Sequence, residues 1–299
     1  MSTRVNIDGE VFGPSDARIS VFDRGFLYGD SVYEVLRTYG GVPFAKQAHL
    51  ARLQRSADRL GIPVPGISWI QAQMDRTLAE ASNPESYIRI VITRGSGPLT
   101  LDPTRARSPV CVILVKPYEP FPEWMYETGI RVAIPAVRRN LRAALDPAIK
   151  SGNYLNSILA LGEARRAGFD DALLLDVRGR IAEASSSNVF VLIGSRLCTP
   201  ALETGLLEGV TRGLTLRIAR DAGMECCECN LDTADLINAD EVMITSTLRE
   251  IMPVVQIDDQ PIGHGKPGPV YHKLRSLFRE HALAATRAEA RLGGKGDES

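Results

Sequence analysis

The stretch Asp146-Pro-Ala-Ile-Lys-Ser-Gly-Asn-Tyr154 lies near the middle of the chain and separates two kinds of sequence. Before it, residues 138–142 read Arg-Arg-Asn-Leu-Arg, with no clear period. After it, apolar residues recur at helical spacing over 155–166, which predicts a helix. Lys150 is thus a single amine just ahead of a helix, beside the small Ser151-Gly152 pair. On local sequence alone, a solvated surface lysine is the more common interpretation.

The composition is that of an ordinary soluble globular protein. Of 299 residues, 44% are hydrophobic and 24% are charged, and the net charge is −1. This length favours two domains over one. A balanced charge gives no indication of binding to nucleic acid or to a membrane surface. Because no long apolar run or leader segment is present, we expect a cytoplasmic protein.

The five cysteines suit reduced thiols in the cytoplasm. Cys226, Cys227 and Cys229 lie in a predicted strand and could be read as a metal or redox site. They lack a second ligand pair at zinc spacing, so a structural role is favoured and no metal site is expected. The four histidines are scattered and form no ligand pair.

The first part of the chain reads as strands around a helical pair. Asp8-Gly9 predicts a hairpin turn within 5–12, and 19–22 reads as another short strand. Leu50, Leu53, Ala57 and Leu60 recur at intervals of three and four, which predicts a helix ended by Gly61. A further helix is predicted over 69–81, with strands over 32–39, 42–44, 87–93 and 110–116. Strands on both sides of a helical pair indicate an α+β unit.

Three prolines in Pro117-Tyr-Glu-Pro-Phe-Pro122 mark the best domain boundary. We therefore predict a small N-terminal α/β domain over 1–116, a linker over 117–128 and a larger domain over 129–299. Short hairpin turns make the second domain mostly antiparallel, with flanking helices. The Ala/Arg/Gly-rich tail at 286–299 lacks a strong apolar period, so we expect it to be disordered.

Four features elsewhere raise interest in Lys150. Glu183 precedes a run of small residues, which leaves room for a flat ligand. Gly209-Val210-Thr211 precedes a helix, whose exposed N–H groups favour a phosphate. Thr245-Ser-Thr247 ends a strand with hydroxyls, and Arg52 lies on the first helix. Taken singly, each is better explained as an ordinary turn, cap or surface residue.

Taken in order, these residues resemble the fold-type IV pyridoxal-phosphate (PLP) enzymes over about residues 5–254. This class IV group contains branched-chain aminotransferases, D-amino-acid aminotransferases and aminodeoxychorismate lyases. The motifs are His-x-x-Arg52-Leu, Lys150 before Gly-Asn-Tyr154, Glu183 before the serine run, Gly-Val-Thr211, and Ser246-Thr247 before Glu-Ile-Met-Pro. Each motif is weak alone, but their shared order is typical of the group. The fold implied is a two-domain α+β fold.

The resemblance also implies a role for each cofactor residue. Lys150 would hold PLP as an internal aldimine and serve as the catalytic base. Glu183 would pair with the pyridine nitrogen, keeping the ring able to accept electrons, and Tyr154 would bond the ring hydroxyl. The phosphate would be held by Arg52, Val210, Thr211 and Thr247. The remaining residues expected at the cofactor are Ser187, Asn188 and Ser246.

The substrate residues resemble the branched-chain branch, with departures. Tyr28, Tyr33, Arg37, Tyr87 and Arg89 match its aromatic and arginine pattern, which receives an apolar side chain and an acidic co-substrate. However, Glu34-Val35 stands where branched-chain enzymes have Glu-Gly, and this is closer to the D-amino-acid enzymes. Leu248-Arg249 replaces a small pair that receives the substrate carboxylate, so Arg249 either binds that carboxylate itself or faces solvent.

The favoured function is therefore ping-pong transamination of branched-chain L-amino acids with 2-oxoglutarate, through Lys150. Within the same fold, the alternatives are a D-amino-acid or (R)-amine transaminase and an aminodeoxychorismate lyase. From another class, a non-catalytic protein binding a phosphorylated ligand would need the Gly-Val-Thr helix start but not Lys150 and Glu183 together. The expected partners are an amine donor and a 2-oxo acid acceptor, and the resemblance implies a homodimer or higher homo-oligomer.

Overall fold

The computed structural model describes residues 1–293 and divides into two compact units. The first unit comprises Met1–Glu119, the short segment Ile149–Asn153, and the C-terminal residues from Ala282. The second comprises Pro120–Ala148 and Tyr154–His281. Ile149–Asn153, which contains Lys150, thus clusters with the first unit, although the predicted boundaries placed it in the second.

The first unit contains a six-stranded sheet in the order β2-β1-β6-β5-β3-β4, counted over the described residues. All its pairings are antiparallel. Two amphipathic helices cover one face and bury an apolar core that includes Leu36, Leu50, Leu53, Ile90 and Met74. The elements are β1 (Arg4–Ile7), β2 (Glu10–Phe12), α1 (Arg24–Tyr28), β3 (Ser31–Tyr39), β4 (Val42–Pro43), α2 (Lys46–Leu60), α3 (Ile67–Ala81), β5 (Ser86–Thr93) and β6 (Cys111–Pro117).

The second unit contains a nine-stranded sheet, again counted over the described residues. Five of its eight pairings are antiparallel and three are parallel. The elements are α4 (Trp124–Glu127), β7 (Ile130–Ala133), α5 (Leu155–Arg166), β8 (Asp171–Leu175), β9 (Ile181–Ala184), β10 (Asn188–Ile193), β11 (Arg196–Pro200), α6 (Val210–Asp221), β12 (Glu225–Cys229), α7 (Thr233–Ile237), β13 (Glu241–Ser246), β14 (Glu250–Ile257), β15 (Gln260–Pro261) and α8 (Pro269–Gly293). The predicted α+β class is therefore confirmed.

Two local predictions are wrong. Residues 19–22 form no strand: the Phe22 N–H bonds to the Ser20 hydroxyl, and the Asp23 N–H bonds to the Ser20 carbonyl. These local turn bonds take the place of hydrogen bonds to a neighbouring strand. Asp23 then caps the short helix α1, and the sequence did not predict that helix.

The predicted disorder from residue 286 is also wrong as far as Gly293, because α8 continues to that residue. Alanine, arginine and glutamate are strong helix formers even without an apolar period. The buried Thr286 hydroxyl bonds to the Ala282 carbonyl, and Glu289 pairs with Lys46 of α2. Residues 294–299 of the predicted tail lie outside the described residues. Over residues 1–293, no helix combines the length and apolar character needed to cross a bilayer.

Candidate active site

The Lys150 segment is attached to the edge of β3. The Tyr33 N–H donates to the Lys150 carbonyl at 3.0 Å, and the Lys150 N–H donates to the Ser56 hydroxyl at 3.2 Å. Gly152 packs so closely on Ser31 that a Cβ would lie 2.3 Å from the Ser31 Oγ atom. A side chain at position 152 would displace the Ser31 hydroxyl, and the Gly152 N–H donates to the Ser31 carbonyl at 2.8 Å. The segment is therefore anchored on both sides of the lysine side chain.

The Lys150 amine lies against an aromatic ring. Its Nζ atom is 4.5 Å from the centre of the Tyr33 ring and 3.5 Å from the Tyr33 hydroxyl. The Arg89 guanidinium lies 4.1 Å from the same ring centre. Lys150 is half-buried, and Tyr33 is buried. The Lys150 side chain is therefore partly shielded from solvent and packed on an aromatic ring, unlike the solvated surface lysine that local sequence alone favours.

The other predicted substrate residues of β3 and β5 share the face of Tyr33. Register pairs Val35 with Arg89 and Arg37 with Tyr87, and directly opposed residues in an antiparallel pair point to one face. The Arg37 guanidinium stacks on Tyr39 and Tyr118, at 4.1 and 3.9 Å from the ring centres, and bonds to the Tyr118 hydroxyl. The Tyr87 ring centre is 5.8 Å from the Lys116 amine. Tyr28 ends α1, exposed, with the Arg24 guanidinium 5.0 Å from its ring centre.

Arg52 lies on the opposite face of the same sheet, in an ion-pair cluster. Its Nε and Nη2 atoms donate to the two Glu34 oxygens at 2.6 and 2.9 Å, and His49 Nδ1 is 2.8 Å from Glu34 Oε2. Burial raises the pKa of Glu34, but the Arg52 charge and the hydrogen bonds from Arg52 and His49 outweigh it and lower the pKa to about 2. The pKa of His49 is lowered, chiefly by burial. Because an ionised carboxylate can only accept, His49 Nδ1 is the donor in its contact with Glu34.

Glu183 forms the corresponding cluster in the second unit. Its Oε1 atom accepts from Arg139 Nη2 at 2.7 Å, and its Oε2 atom accepts from the Leu207 N–H at 3.1 Å and from Asn188 Nδ2 at 3.3 Å. Arg139 is itself held by the Gly205 carbonyl and the Asn156 amide. The carboxylate is buried, so its orientation is fixed by three neighbours.

The start of α6 lies directly beside this cluster. Gly209 is the N-cap, and a Cβ there would lie 1.9 Å from the Asn188 Oδ1 atom. Val210 and Thr211 are the first helical residues; Thr211 is buried. The helix is anchored by Arg212, which bonds to the Thr199 hydroxyl, the Pro200 carbonyl and Glu228. A helix start whose N-cap residue has no side chain therefore adjoins an oriented carboxylate.

The tip of the β13–β14 hairpin brings four predicted residues together: Ser246, Thr247, Leu248 and Arg249. All four are half-buried, and the Arg249 N–H donates to the Ser246 hydroxyl at 3.3 Å. The Arg249 guanidinium does not face solvent, since it pairs with the fully buried Asp171 carboxylate and donates to the buried Ser187 hydroxyl at 3.3 Å. Tyr154, half-buried, is the N-cap residue of α5.

Three residues of these clusters escaped prediction from the sequence. Arg139 belongs to the aperiodic run before the Lys150 segment, and its pairing with Glu183 has no local signal. Asp171, the partner of Arg249, is likewise distant along the chain. His49 could have been found, because residues three apart on a helix are neighbours and its ring accompanies Arg52 onto Glu34.

The chain is similar to known proteins over nearly its whole length. The family model described as amino-transferase class IV matches residues 31–257. The chain is 38% identical to the "Putative branched-chain-amino-acid aminotransferase" of Methanocaldococcus jannaschii, covering 93% of this chain and 96% of that one. It is 31% identical to the D-alanine aminotransferase of Bacillus licheniformis, covering 95% and 98%. The branched-chain amino acid aminotransferase structure from Escherichia coli superposes with a TM-score of 0.91 at 29% identity, covering 96% of both chains.

The chain therefore belongs to the class IV aminotransferase family, as its motifs predicted, and it is a PLP-dependent aminotransferase. A solved relative, the branched-chain amino acid aminotransferase of Thermobaculum terrenum, is in its PLP form, and its structure gives a TM-score of 0.86 at 26% identity, covering 94% of each chain.

The residues present fit this cofactor. An oriented carboxylate suits a protonated ring nitrogen, and a helix start with a glycine cap suits a phosphate. The Thr245 hydroxyl is buried with no hydrogen-bond partner among the described residues. Thr245 is the register partner of Asn188, so it shares the sheet face that meets the cap of α6. The second unit therefore has an unused hydroxyl donor on that face.

Proposed function

We propose that this aminotransferase moves the amino group of branched-chain L-amino acids to 2-oxoglutarate by a ping-pong mechanism based on Lys150. The observation that carries the proposal is the placement of the Lys150 amine on the Tyr33 ring. Tyr33 shares its sheet face with Val35, Arg37, Tyr87 and Arg89. That face combines apolar and aromatic surface with two arginines, which suits an apolar side chain in one half-reaction and a second carboxylate in the other.

Each cofactor contact has a proposed residue. Glu183 pairs with the ring nitrogen, Tyr154 bonds the ring hydroxyl, and Ser187 and Asn188 support the surrounding strand end. The phosphate is bound by Arg52, Val210, Thr211, Ser246 and Thr247. When bound, PLP draws electrons from the substrate carbon beside the amine. The Arg139 and Leu207 contacts keep Glu183 oriented, which supports its assignment to the ring nitrogen.

Lys150 has two proposed tasks. It would hold the cofactor, and its amine, when released, would take the proton from the substrate carbon beside the amino group. The backbone bonds on both sides of Lys150 fix the origin of its side chain, and the Tyr33 hydroxyl lies within reach of its amine. Holding a base at a defined position in this way favours proton transfer.

Leu248 and Arg249 are the proposed residues of the hairpin tip that meet the substrate, and Tyr28 completes the substrate set. Because Asp171 and Ser187 hold the Arg249 guanidinium, its positive charge is already compensated inside the second unit. We therefore expect Arg249 to contribute through the shape of the tip and its backbone N–H groups more than through a free charge.

A D-amino-acid or (R)-amine transaminase is the second candidate. Val35 occupies the substrate face opposite Arg89 in the register, where a branched side chain takes space that a glycine would leave. The chain is also 31% identical to both the B. licheniformis D-alanine enzyme and the E. coli branched-chain enzyme. The 38% identity to the M. jannaschii protein favours the branched-chain proposal.

An amine-donor scan of the first half-reaction tests the proposal. Purified holoenzyme is mixed with L-leucine, D-alanine or (R)-1-phenylethylamine, and the loss of the yellow cofactor band is followed. The proposal predicts bleaching by L-leucine and recovery of colour with 2-oxoglutarate. Bleaching by D-alanine or the (R)-amine alone would replace it with the second candidate. If no donor bleaches the band but aminodeoxychorismate yields pyruvate, the enzyme is a lyase.

The proposed assembly is a cytoplasmic homodimer or higher homo-oligomer. Leu155, Ile158 and Leu159 form an exposed apolar strip on α5, with exposed fractions of 65%, 58% and 59%. Residues spaced by three and four share one helix face, and an exposed apolar patch of this kind marks an interaction surface. Sedimentation velocity measures the state directly, and a monomer at micromolar concentration would contradict the proposal.

A further inference from the structure

Three thiols converge on one face of the large sheet, and we call Cys198, Cys227 and Cys229 the thiol cluster. Cys198 on β11 is the register partner of Cys227 on the parallel strand β12, and Cys229 follows two residues later. The Cys227 sulfur is 2.9 Å from that of Cys198 and 3.4 Å from that of Cys229. All three sulfurs lie within 4.8 Å of one another. The sequence predicted a structural role because Cys226, Cys227 and Cys229 have no second ligand pair at zinc spacing, and Cys198 is distant along the chain.

The thiol cluster and the charged contacts of β12 lie on opposite faces of that strand. Glu228, between Cys227 and Cys229, points to the other face and pairs with Arg212 and Arg220 of α6. The cluster instead packs against the apolar core of the second unit, with Cys198 buried and the other two thiols half-buried on the edge strand. Among the described residues, no histidine or carboxylate joins the three sulfurs as a ligand.

This geometry suits a soft metal ion. Metal–thiolate bonds of about 2.3 Å at open angles require sulfur–sulfur separations of roughly 3.8 Å. Two of the observed separations, 2.9 and 3.4 Å, are shorter than this value, and the third is at most 4.8 Å. A bound ion would therefore move the Cys227 sulfur away from its neighbours by roughly 1 Å or less, which a side-chain rotation supplies. Thiolates select soft ions such as Cu(I). Three ligands without a fourth suit Cu(I) better than zinc, whose structural sites are four-coordinate.

A disulfide between Cys198 and Cys227 is the competing use of these thiols. It would involve only two of the three sulfurs that converge here. A bound metal ion uses all three and stabilises them in the thiolate form.

We propose that Cys198, Cys227 and Cys229 form a three-sulfur binding site for one soft metal ion of the Cu(I) class. The site lies on β11 and β12, and none of its ligands belongs to the residues assigned to PLP or substrate. The proposal therefore goes beyond transamination and does not depend on it.

Competitive metal binding to the untagged, reduced holoenzyme tests the site. Cu(I) is supplied without oxygen in competition with bathocuproine disulfonate, and transfer to the protein is read from the loss of the chelator colour. The wild type should take up one equivalent. Replacing Cys227 or Cys229 by serine should weaken binding by more than about tenfold, since even groups that only orient a ligand contribute about 10- to 100-fold.

Cys226→Ser is the matched control. Cys226 neighbours Cys227 on the same strand but lies outside the cluster, so its variant should bind Cu(I) as the wild type does. Cofactor absorbance verifies that each variant is folded, and Cu(I) should raise the melting temperature of the wild type and Cys226→Ser but not of the cluster variants. Absence of stoichiometric binding, an equal loss in Cys226→Ser, or tighter binding of Zn(II) than of Cu(I) would overturn the assignment.

Discussion

Two buried carboxylates in this chain each face an arginine, and the two clusters are built differently. Glu34 is fully buried and receives two bonds from Arg52 and one from His49. Glu183 accepts from Arg139, from the Asn188 amide and from the Leu207 backbone N–H, beside the start of α6. Both clusters thus pair a glutamate with an arginine, but Glu34 lies beside an apolar core and Glu183 lies beside a helix start.

This difference assigns different tasks to the two acids. Glu34 lies between β3 and α2, where its partners neutralise it within the packed core. Removing such a carboxylate leaves a buried arginine uncompensated, so Glu34 acts on stability. Glu183 lies among polar groups that suit a bound ligand, so it acts on catalysis. Substitutions at the two acids should therefore have their largest effects on different measurements, unfolding for Glu34 and turnover for Glu183.

The largest expected effect is on turnover by Glu183→Gln. An amide cannot supply the negative charge that keeps the cofactor ring nitrogen protonated, and losing one preorganised electrostatic group costs about 100- to 1,000-fold in kcat. Single-turnover kinetics at saturating PLP measure this. Glu183→Asp, which keeps the charge, should recover part of the loss. Equal rates for Glu183→Gln and the wild type would remove Glu183 from the catalytic site.

Next in size is the effect of Glu34→Gln on folding. Breaking a buried ion pair by removing one partner costs about 3–5 kcal/mol, so the urea midpoint should fall clearly. The matched control is Glu80→Gln, because Glu80 pairs with Arg76 on the exposed side of α3 and such pairs contribute about 1 kcal/mol or less. Equal midpoints for the two variants would contradict the structural role of Glu34.

Glu34 should also make the stability of the folded protein depend on pH. Because the pKa of Glu34 falls from 4.5 to about 2 on folding, its contribution is fully present above the unfolded value and is lost as pH falls toward the folded one. At 1.36 kcal/mol per pKa unit, this amounts to about 3 kcal/mol in total, of which about 2 are lost by pH 3. Urea unfolding of the wild type and Glu34→Gln at pH 5 and pH 3 should show this loss in the wild type alone.

The smallest effect concerns Tyr33, which precedes Glu34 but points to the other face of the sheet. Tyr33→Phe keeps the ring beneath the Lys150 amine and removes only the hydroxyl 3.5 Å away. One such contact is worth about 1 kcal/mol, so kcat should fall about fivefold with stability unchanged. A loss above about 100-fold would instead place the Tyr33 hydroxyl in the proton transfer.

Local periodicity predicted most helices and strands, since α2, α3, β3, β5 and α6 all follow clear apolar patterns. It failed at 19–22, where serine and aspartate side chains compete for the backbone. It also failed at 286–293, where helix propensity extends α8 beyond its apolar stripe of Tyr271, Leu274 and Phe278. The tertiary partners Arg139 and Asp171 could not be predicted, because pairing across distant strands leaves no spacing signal. The place of Cys198 in the thiol cluster could not be predicted for the same reason, because it pairs with Cys227 across strands that are distant in sequence.

The central claim is that Lys150 carries the cofactor, and chemical trapping tests it most directly. The holoenzyme is reduced with borohydride and digested, and the peptides are mapped by mass spectrometry. We predict loss of the yellow colour and a reduced PLP label on Lys150 alone, with Lys150→Ala unlabelled. A label on another lysine, or a protein that cannot be reconstituted to a yellow form, would contradict it.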